Sequence, residues 1–391
     1  MGISCYKCKM STINVFYMLL DRKPYAIQAI VGPVVTYASV ICNAVIFLAL
    51  FAKHLNSSST ILLQGLAIFD GLASLCVYGF EPFFTSKYDT FVDSFIILNY
   101  PFCILHFHII HAEEAFHLGS VLITSFLGIQ KFISIKFPFF SRRQFSRKSS
   151  IISISLCAVF TVFIHIPLHL TLKFADNDPD QIWNRTYTIH FEDSKVSYSS
   201  KYVCEYAVPD DILRLYTLRY YPILIVSLLV MAVLSMLVTT IYITYYLHKS
   251  RFSGRINFSQ RRNRKSVKMV LIVLVTFLFS EVPRLLLNVV LLMAPTFQRE
   301  ASTWIADMFI SDPNSYRILA LQETLFPSAD YGDMKDLSEI IRLLTVVGCL
   351  SNFIIYILMS ERLRTTLKIN CVAAVHNCTC HLMMSRRSLI L

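Results

Sequence analysis

The chain has 391 residues, 55% of them hydrophobic and 16% charged, and its mean hydropathy is +0.56. A soluble protein of this size needs far more charge to cover its surface, so these values point to an integral membrane protein. The net charge of +11 falls in short connections between apolar runs; that is the positive-inside pattern of membrane proteins, and no nucleic-acid partner is expected.

A membrane-spanning helix needs roughly 20 mostly apolar residues at 1.5 Å rise each. Seven such spans are predicted, over about 28–53, 59–84, 102–134, 149–173, 217–247, 266–294 and 336–359, the third and seventh being the least apolar. The N-terminal stretch "NVFYMLL" is short and lacks a small-residue cleavage site, so no cleaved signal peptide is expected. Tyr6 stands where a myristoylation signal has Ser or Thr. The expected organisation is an extracellular N-terminus at 1–27, a seven-helix domain at 28–359, and a short amphipathic eighth helix with a cytoplasmic tail at 360–391.

The connections differ in charge. Lys136, Arg142, Arg143, Arg147 and Lys148 follow the third span, and "HKSRFSGRINFSQRRNRKSVK" joins the fifth to the sixth. The segment between the fourth and fifth spans carries Asp176, Asp178, Asp180, Glu192, Asp193, Glu205, Asp210 and Asp211. This asymmetry orients the N-terminus outside and the C-terminus inside, in a multi-pass plasma-membrane protein. On the outer side "RTYTIHF" and "SKYVCEYAV" alternate like the two arms of a hairpin, and Asn184 begins a glycosylation sequon. Asn56, Asn257 and Asn377 also begin sequons but fall on the inner side. After the seventh span "ERLRTTLKINCVAAV" reads as a helix lying on the inner membrane surface, with Cys371, Cys378 and Cys380 placed for palmitoylation or left as plain tail thiols. Of the eleven cysteines several, such as Cys42, Cys76, Cys157 and Cys349, lie within apolar runs, where they act as small hydrophobes, and no zinc-type spacing is present.

Several short motifs then recur in order. "ICNAVIFLAL" carries Asn43 in the first span and "LAIFD" ends in Asp70 in the second. The sixth span contains "MVLIVLVTFLFSEVP", with Met269, Glu281 and Pro283, and the seventh runs into "SNFIIYILMSERLRTTL", with Asn352, Phe353 and Tyr356. In the third span His117 precedes "QKFISIKFP".

Over 28–370 this set resembles rhodopsin-class G protein-coupled receptors, and most closely the invertebrate myosuppressin and FMRFamide-like neuropeptide receptors. The resemblance implies a seven-helix receptor for an extracellular RF-amide-like peptide that signals through a heterotrimeric G protein. It implies an activation site of Asp70, Ser120, Asn352 and Tyr356, with a sodium ion near Asp70 as the one cofactor-like group. It also implies a G-protein contact at Lys131 and Phe132, which replace the family's Arg-Tyr pair after Gln130, and a disulfide from Cys103 to Cys204. Lys keeps the charge of Arg but not its planar fork. Gly348 stands where many receptors carry a polar residue.

Ionisable groups within spans are expensive and mark function or internal pairing. Glu81 is roughly 16 Å along the helix from Asp70, and Glu113 and Glu114 lie roughly 26 Å along the third span from Lys131. Glu81, Glu113, Glu114, His117, Glu281 and Arg342 are therefore the candidate ligand-binding groups, facing one outward cavity. An acid there suits a ligand arginine, and Phe80, Phe83, Phe84 and Phe116 suit its aromatic neighbour. Adjacent helical residues point about 100° apart, so of the two acids Glu113 is expected to face inward and Glu114 away. Glu281 alternatively pairs with Arg284 three residues on, and Arg342 alternatively favours an anionic ligand. His106, His108, His111, His165 and His169 are expected to be packed imidazoles. Pro222 and Pro283 are expected to bend the fifth and sixth helices.

A nematode-type chemosensory receptor for small molecules shares these motifs and is the competing reading. A transporter or channel would carry internal repeats and Gly-interrupted paired spans, whereas this chain has ten glycines and no repeat. An enzyme is not expected, because no HExxH, Gly-x-Asp or nucleophile–base motif is present.

Overall fold

The computed structural model describes residues 15–16, 18–20, 26–51, 57–92, 95–99, 101–170, 173–174, 185–191, 194–200, 205–207, 211–251, 258–293, 331–359 and 364–365. Seven helices are long and apolar enough to cross a membrane. They are α1 (Ala26–Ala49), α2 (Ser58–Thr85), α3 (Phe102–Lys136), α4 (Arg147–His169), α5 (Tyr221–Arg251), α6 (Phe258–Met293) and α7 (Tyr331–Met359). The predicted spans agree with these helices to within a few residues, apart from longer helical extensions on α6 and α7. Ser57 and Ser146 cap α2 and α4, each accepting a bond from the backbone N–H three residues on.

The bundle core runs through α1, α2, α3, α5, α6 and α7, with Ile46, Leu62, Val121, Leu127, Met236, Val270, Leu274 and Tyr356 buried together. The outward faces carry exposed Val159, Phe163, Met231 and Phe279. Such faces suit lipid rather than water.

All the described strands lie in connections at one end of the bundle. β1 (Val15–Phe16), β8 (Glu205–Ala207) and β5 (Lys173–Phe174) form one antiparallel sheet, in the order β1-β8-β5. β2 (Met18–Leu20), β4 (Phe95–Leu98) and β3 (Tyr88–Val92) form a second. β6 (Arg185–Phe191) pairs with β7 (Ser194–Ser200) from Arg185↔Ser200 to Phe191↔Ser194. A hairpin is therefore present, but its second arm is "SKVSYSS". The "EYA" of the segment expected as second arm instead joins the sheet made with the N-terminal segment. Tyr187 and Ile189 face Tyr198 and Val196 across this register, so the shorter pairing already matches apolar to apolar.

Pro82 explains a local irregularity in α2. It has no N–H to give to the Tyr78 carbonyl, and its ring crowds that turn. The helix widens into a π turn over Leu75–Gly79 before Glu81–Thr85. Neighbouring side chains take the loosened carbonyls: Thr36 donates to Ser74 O, Tyr37 to Gly79 O, and Arg342 to Val77 O. Pro283 stands inside the unbroken α6, and Pro222 in the first turn of α5 directly after a π turn at Tyr216–Tyr220.

Candidate functional site

At the strand end of the bundle, α3 and α6 run antiparallel and meet in two successive polar contacts. His117 Nε2 lies 3.0 Å from Glu281 Oε2, both groups being buried. One turn toward the strands, Glu113 Oε1 faces Arg284 Nη1 at 3.9 Å. The acid is thus on α6 in one contact and on α3 in the next. The expected i,i+3 pair between Glu281 and Arg284 does not form, because each side chain reaches across to α3 instead.

Glu113 also faces α7, its Oε2 lying 3.6 Å from Arg342 Nη2. Arg342 in turn donates to Glu339 Oε1 at 3.1 Å and to Val77 O at 3.2 Å. Tyr78 of the π turn donates to Glu339 Oε2 at 2.8 Å, and its ring lies under the Arg342 guanidinium at 5.1 Å. One carboxylate from α3 therefore sits between guanidinium groups of α6 and α7, and α7 is tied to α2 through Tyr78.

The remaining acids are held apart from this centre. Glu81 accepts from Gln28 Nε2 at 2.7 Å and from Tyr88 Oη at 3.2 Å. Glu114 is buried as well as Glu113, which corrects the expectation that only one faces inward. It accepts from Tyr221 Oη of α5 at 2.6 Å. His165 Nε2 lies 3.2 Å from the same hydroxyl, and its Nδ1 is 2.7 Å from Thr161 O. The His165 Nδ1–H must donate to that carbonyl. The acids expected to line one cavity therefore have separate partners on α1, α3, α5, α6 and α7.

The aromatic candidates are packed among themselves and their neighbours. Phe83 meets Phe84 and Phe102 edge-on, Phe84 meets His106, and Phe116 meets Phe69. His106, His111 and His165 are buried, and His108 Nδ1 is 3.0 Å from His169 Nδ1.

Deeper in the bundle, Ser120 donates to Asp70 Oδ1, and Asn352 Nδ2 donates to Asp70 Oδ2 at 2.7 Å. Cys349, free and buried, lies on the same helix as Asn352, three residues before it. Tyr356 is buried nearby, and its hydroxyl has no hydrogen-bond partner among the described residues. The Asp70 and Ser120 oxygens are of the hard donor type a sodium ion takes, while Asn352 presents its NH2 and would have to turn its amide to ligate. At the other end Phe132 packs edge-on against Tyr242 of α5 with ring centroids 4.6 Å apart, and Lys131 is half-buried. Gln130 joins three helices there: its Nε2 donates to Ser58 Oγ at 2.5 Å, and Ser58 is bonded to Ser150.

Cys103 is buried at the start of α3 and disulfide-bonded. Cys204, Asn184 and Cys371 lie outside the described residues, as does all of the expected eighth helix except Arg364 and Thr365. Cys42, Cys76, Cys157 and Cys349 are free. The pattern reading missed Gln28, Tyr78, Tyr221 and Glu339. Glu339 carried a legible signal, standing three residues before Arg342 on a helix, whereas the two tyrosines look like any other residue of an aromatic-rich span.

Seven spanning helices, buried ion pairs at the strand-bearing end and basic connections at the other define a multi-pass membrane receptor. The model of the serpentine-type seven-helix G protein-coupled chemoreceptors, Srw, matches residues 30–372. The chain belongs to that family, which implies a G protein partner and a lipid environment. No curated protein matches it. The match corrects the branch: it is to chemoreceptors, the competing reading above, and not to the neuropeptide receptors.

Proposed function

We propose that the chain is a plasma-membrane chemosensory receptor that binds a small ligand from outside and activates a heterotrimeric G protein inside. Its N-terminus and strands face out, and its basic connections face the cytosol. The observation that carries this is the bridge from Glu113 to Arg284 and Arg342. Three helices meet through buried charges, and a ligand that binds another arrangement of them better shifts their relative positions. The family match supports chemosensation over the neuropeptide reading.

A peptide agonist of the RF-amide kind is the second reading. The seven-residue arms of the β6–β7 hairpin favour it, since they supply an extended surface in the connection between α4 and α5. The deciding experiment expresses the full chain with a G protein and records nucleotide exchange. One panel contains small water-soluble and volatile compounds, the other amidated peptides. Small-molecule responses are expected. Responses confined to the peptides would reverse the order of the two readings, and silence to both would count against a receptor of this kind.

A further inference from the structure

The expectation that buried acids await a cationic ligand is not what the hydrogen bonding favours. The acids are well supplied. Glu281 has His117 at 3.0 Å, Glu339 has Tyr78 at 2.8 Å and Arg342 at 3.1 Å, Glu114 has Tyr221 at 2.6 Å, and Glu81 has Gln28 at 2.7 Å.

The Arg284 guanidinium is not. Arg284 has five N–H donors to satisfy, and its side chain is only 10% exposed. Its single contact among the described residues is Glu113 at 3.9 Å, beyond hydrogen-bond distance. Arg342 donates to Glu339 Oε1 and Val77 O, but it reaches Glu113 only at 3.6 Å, and its buried Nε has no partner among the described residues. Glu113 thus lies between two cations without a hydrogen bond to either. A buried charge left so poorly bonded is costly, and this one occurs where three helices converge.

We propose that Arg284 and Arg342 form an anion subsite that receives a carboxylate of the ligand. This rests on the chemoreceptor reading and names the ligand's chemical class. The planar fork of arginine fits a carboxylate with two parallel bonds, and Arg284 has all of its donors available for them. The incoming carboxylate competes with Glu113 for both arginines. Glu113 then gives up its contacts with α6 and α7, which loosens the bridge between them and α3. The carboxylate belongs either to a small acid or to the free C-terminus of a short peptide.

The test uses the full chain in lipid nanodiscs and follows thermal unfolding with matched probes. Phenylacetate is compared with phenylacetamide and phenethylammonium, and a Phe-terminated tetrapeptide acid with its amide, in chloride and in gluconate buffer. Acids are expected to raise the melting temperature and amides to leave it unchanged. Which acid acts separates the two sources. Arg284→Gln should abolish the acid-specific shift, and Arg284→Lys should keep part of it. If the Gln variant does not fold, Arg342→Lys serves, with a reduced shift expected. Equal shifts for acid and amide, a shift for the cation alone, a chloride effect as large as that of the acids, no shift at all, or an acid shift that survives Arg284→Gln would each overturn the proposal. Nucleotide exchange on added G protein, measured on the same samples, reports separately on the receptor reading.

Discussion

Glu281 bonds His117 across the gap between α6 and α3 and leaves Arg284, one turn along its own helix, to Glu113. With the acid ionised, His117 Nε2–H donates, and its Nδ1 remains buried without a partner among the described residues. Glu281→Gln retains an oxygen acceptor and is expected to lower stability only slightly. Glu281→Leu strands the imidazole and should cost about 0.6–2 kcal/mol, the range for hydrogen bonds between membrane helices. The Glu281→Leu/His117→Leu double variant should recover part of that loss, because both polar partners are then gone. Melting temperatures of the native protein, the single Glu281→Leu and His117→Leu variants and the double variant form the cycle, and strict additivity would show that the pair is uncoupled.

Close packing of α2 on α3 depends on Gly119. A Cβ at this position would lie 2.2 Å from the Phe69 ring, which real contacts do not allow. Gly119→Ala must push the buried ring aside, at a cost of about 1–3 kcal/mol. Phe69→Leu makes room, so the double variant should melt higher than the two single losses would sum to. A double variant no better than the sum would place the strain elsewhere.

The helix count and the boundaries were legible because they depend on apolar run length, whereas the Asp70, Ser120 and Asn352 grouping was implied by the family resemblance. What spacing cannot carry is the rotation of one helix against another. Glu113 and Glu114 illustrate this: a single helix facing one cavity buries only one of two adjacent acids, but α3 is surrounded, and α5 receives the second through Tyr221. In the same way the i,i+3 spacing of Glu281 and Arg284 made a local pair plausible until α3 offered each a partner. Tyr78 became a link between α2 and α7 because Pro82 unwinds the turn beneath it, a consequence of one missing N–H. The hairpin was found with the wrong second arm, since alternation alone does not fix register.

Tyr221 joins Glu114 to His165 through one hydroxyl. Tyr221→Phe keeps the ring and removes only that link. A loss of about 1–3 kcal/mol is expected, the cost of a buried polar group losing its partner. Thermal unfolding measures it, and an unchanged melting temperature would mean that the hydroxyl bond is replaced elsewhere.

Asp70 is the oxygen donor on which a sodium site would depend, with Ser120 beside it. Basal nucleotide exchange is expected to fall as sodium replaces a large organic cation at constant ionic strength. Asp70→Asn should abolish that dependence, since an amide offers a sodium ion no negative charge. Sodium sensitivity retained in the Asn variant would remove the ion from this site.

Lys131 stands one residue before Phe132, whose ring is fixed against Tyr242 of α5. The side chain at 131 therefore starts from a defined position at the end of the bundle that faces the cytosol in the proposed orientation. Its ammonium is a compact point charge, whereas a guanidinium offers a planar fork of five donors. If this residue meets the G protein, Lys131→Arg should raise nucleotide exchange at equal surface density, and Lys131→Ala should lower it. Lys131→Gln, close in length but uncharged, separates charge from packing: exchange should fall with it as it does with Ala. Equal exchange in Lys, Arg and Gln proteins would show that the residue serves the fold and that coupling runs through other groups on the basic connections.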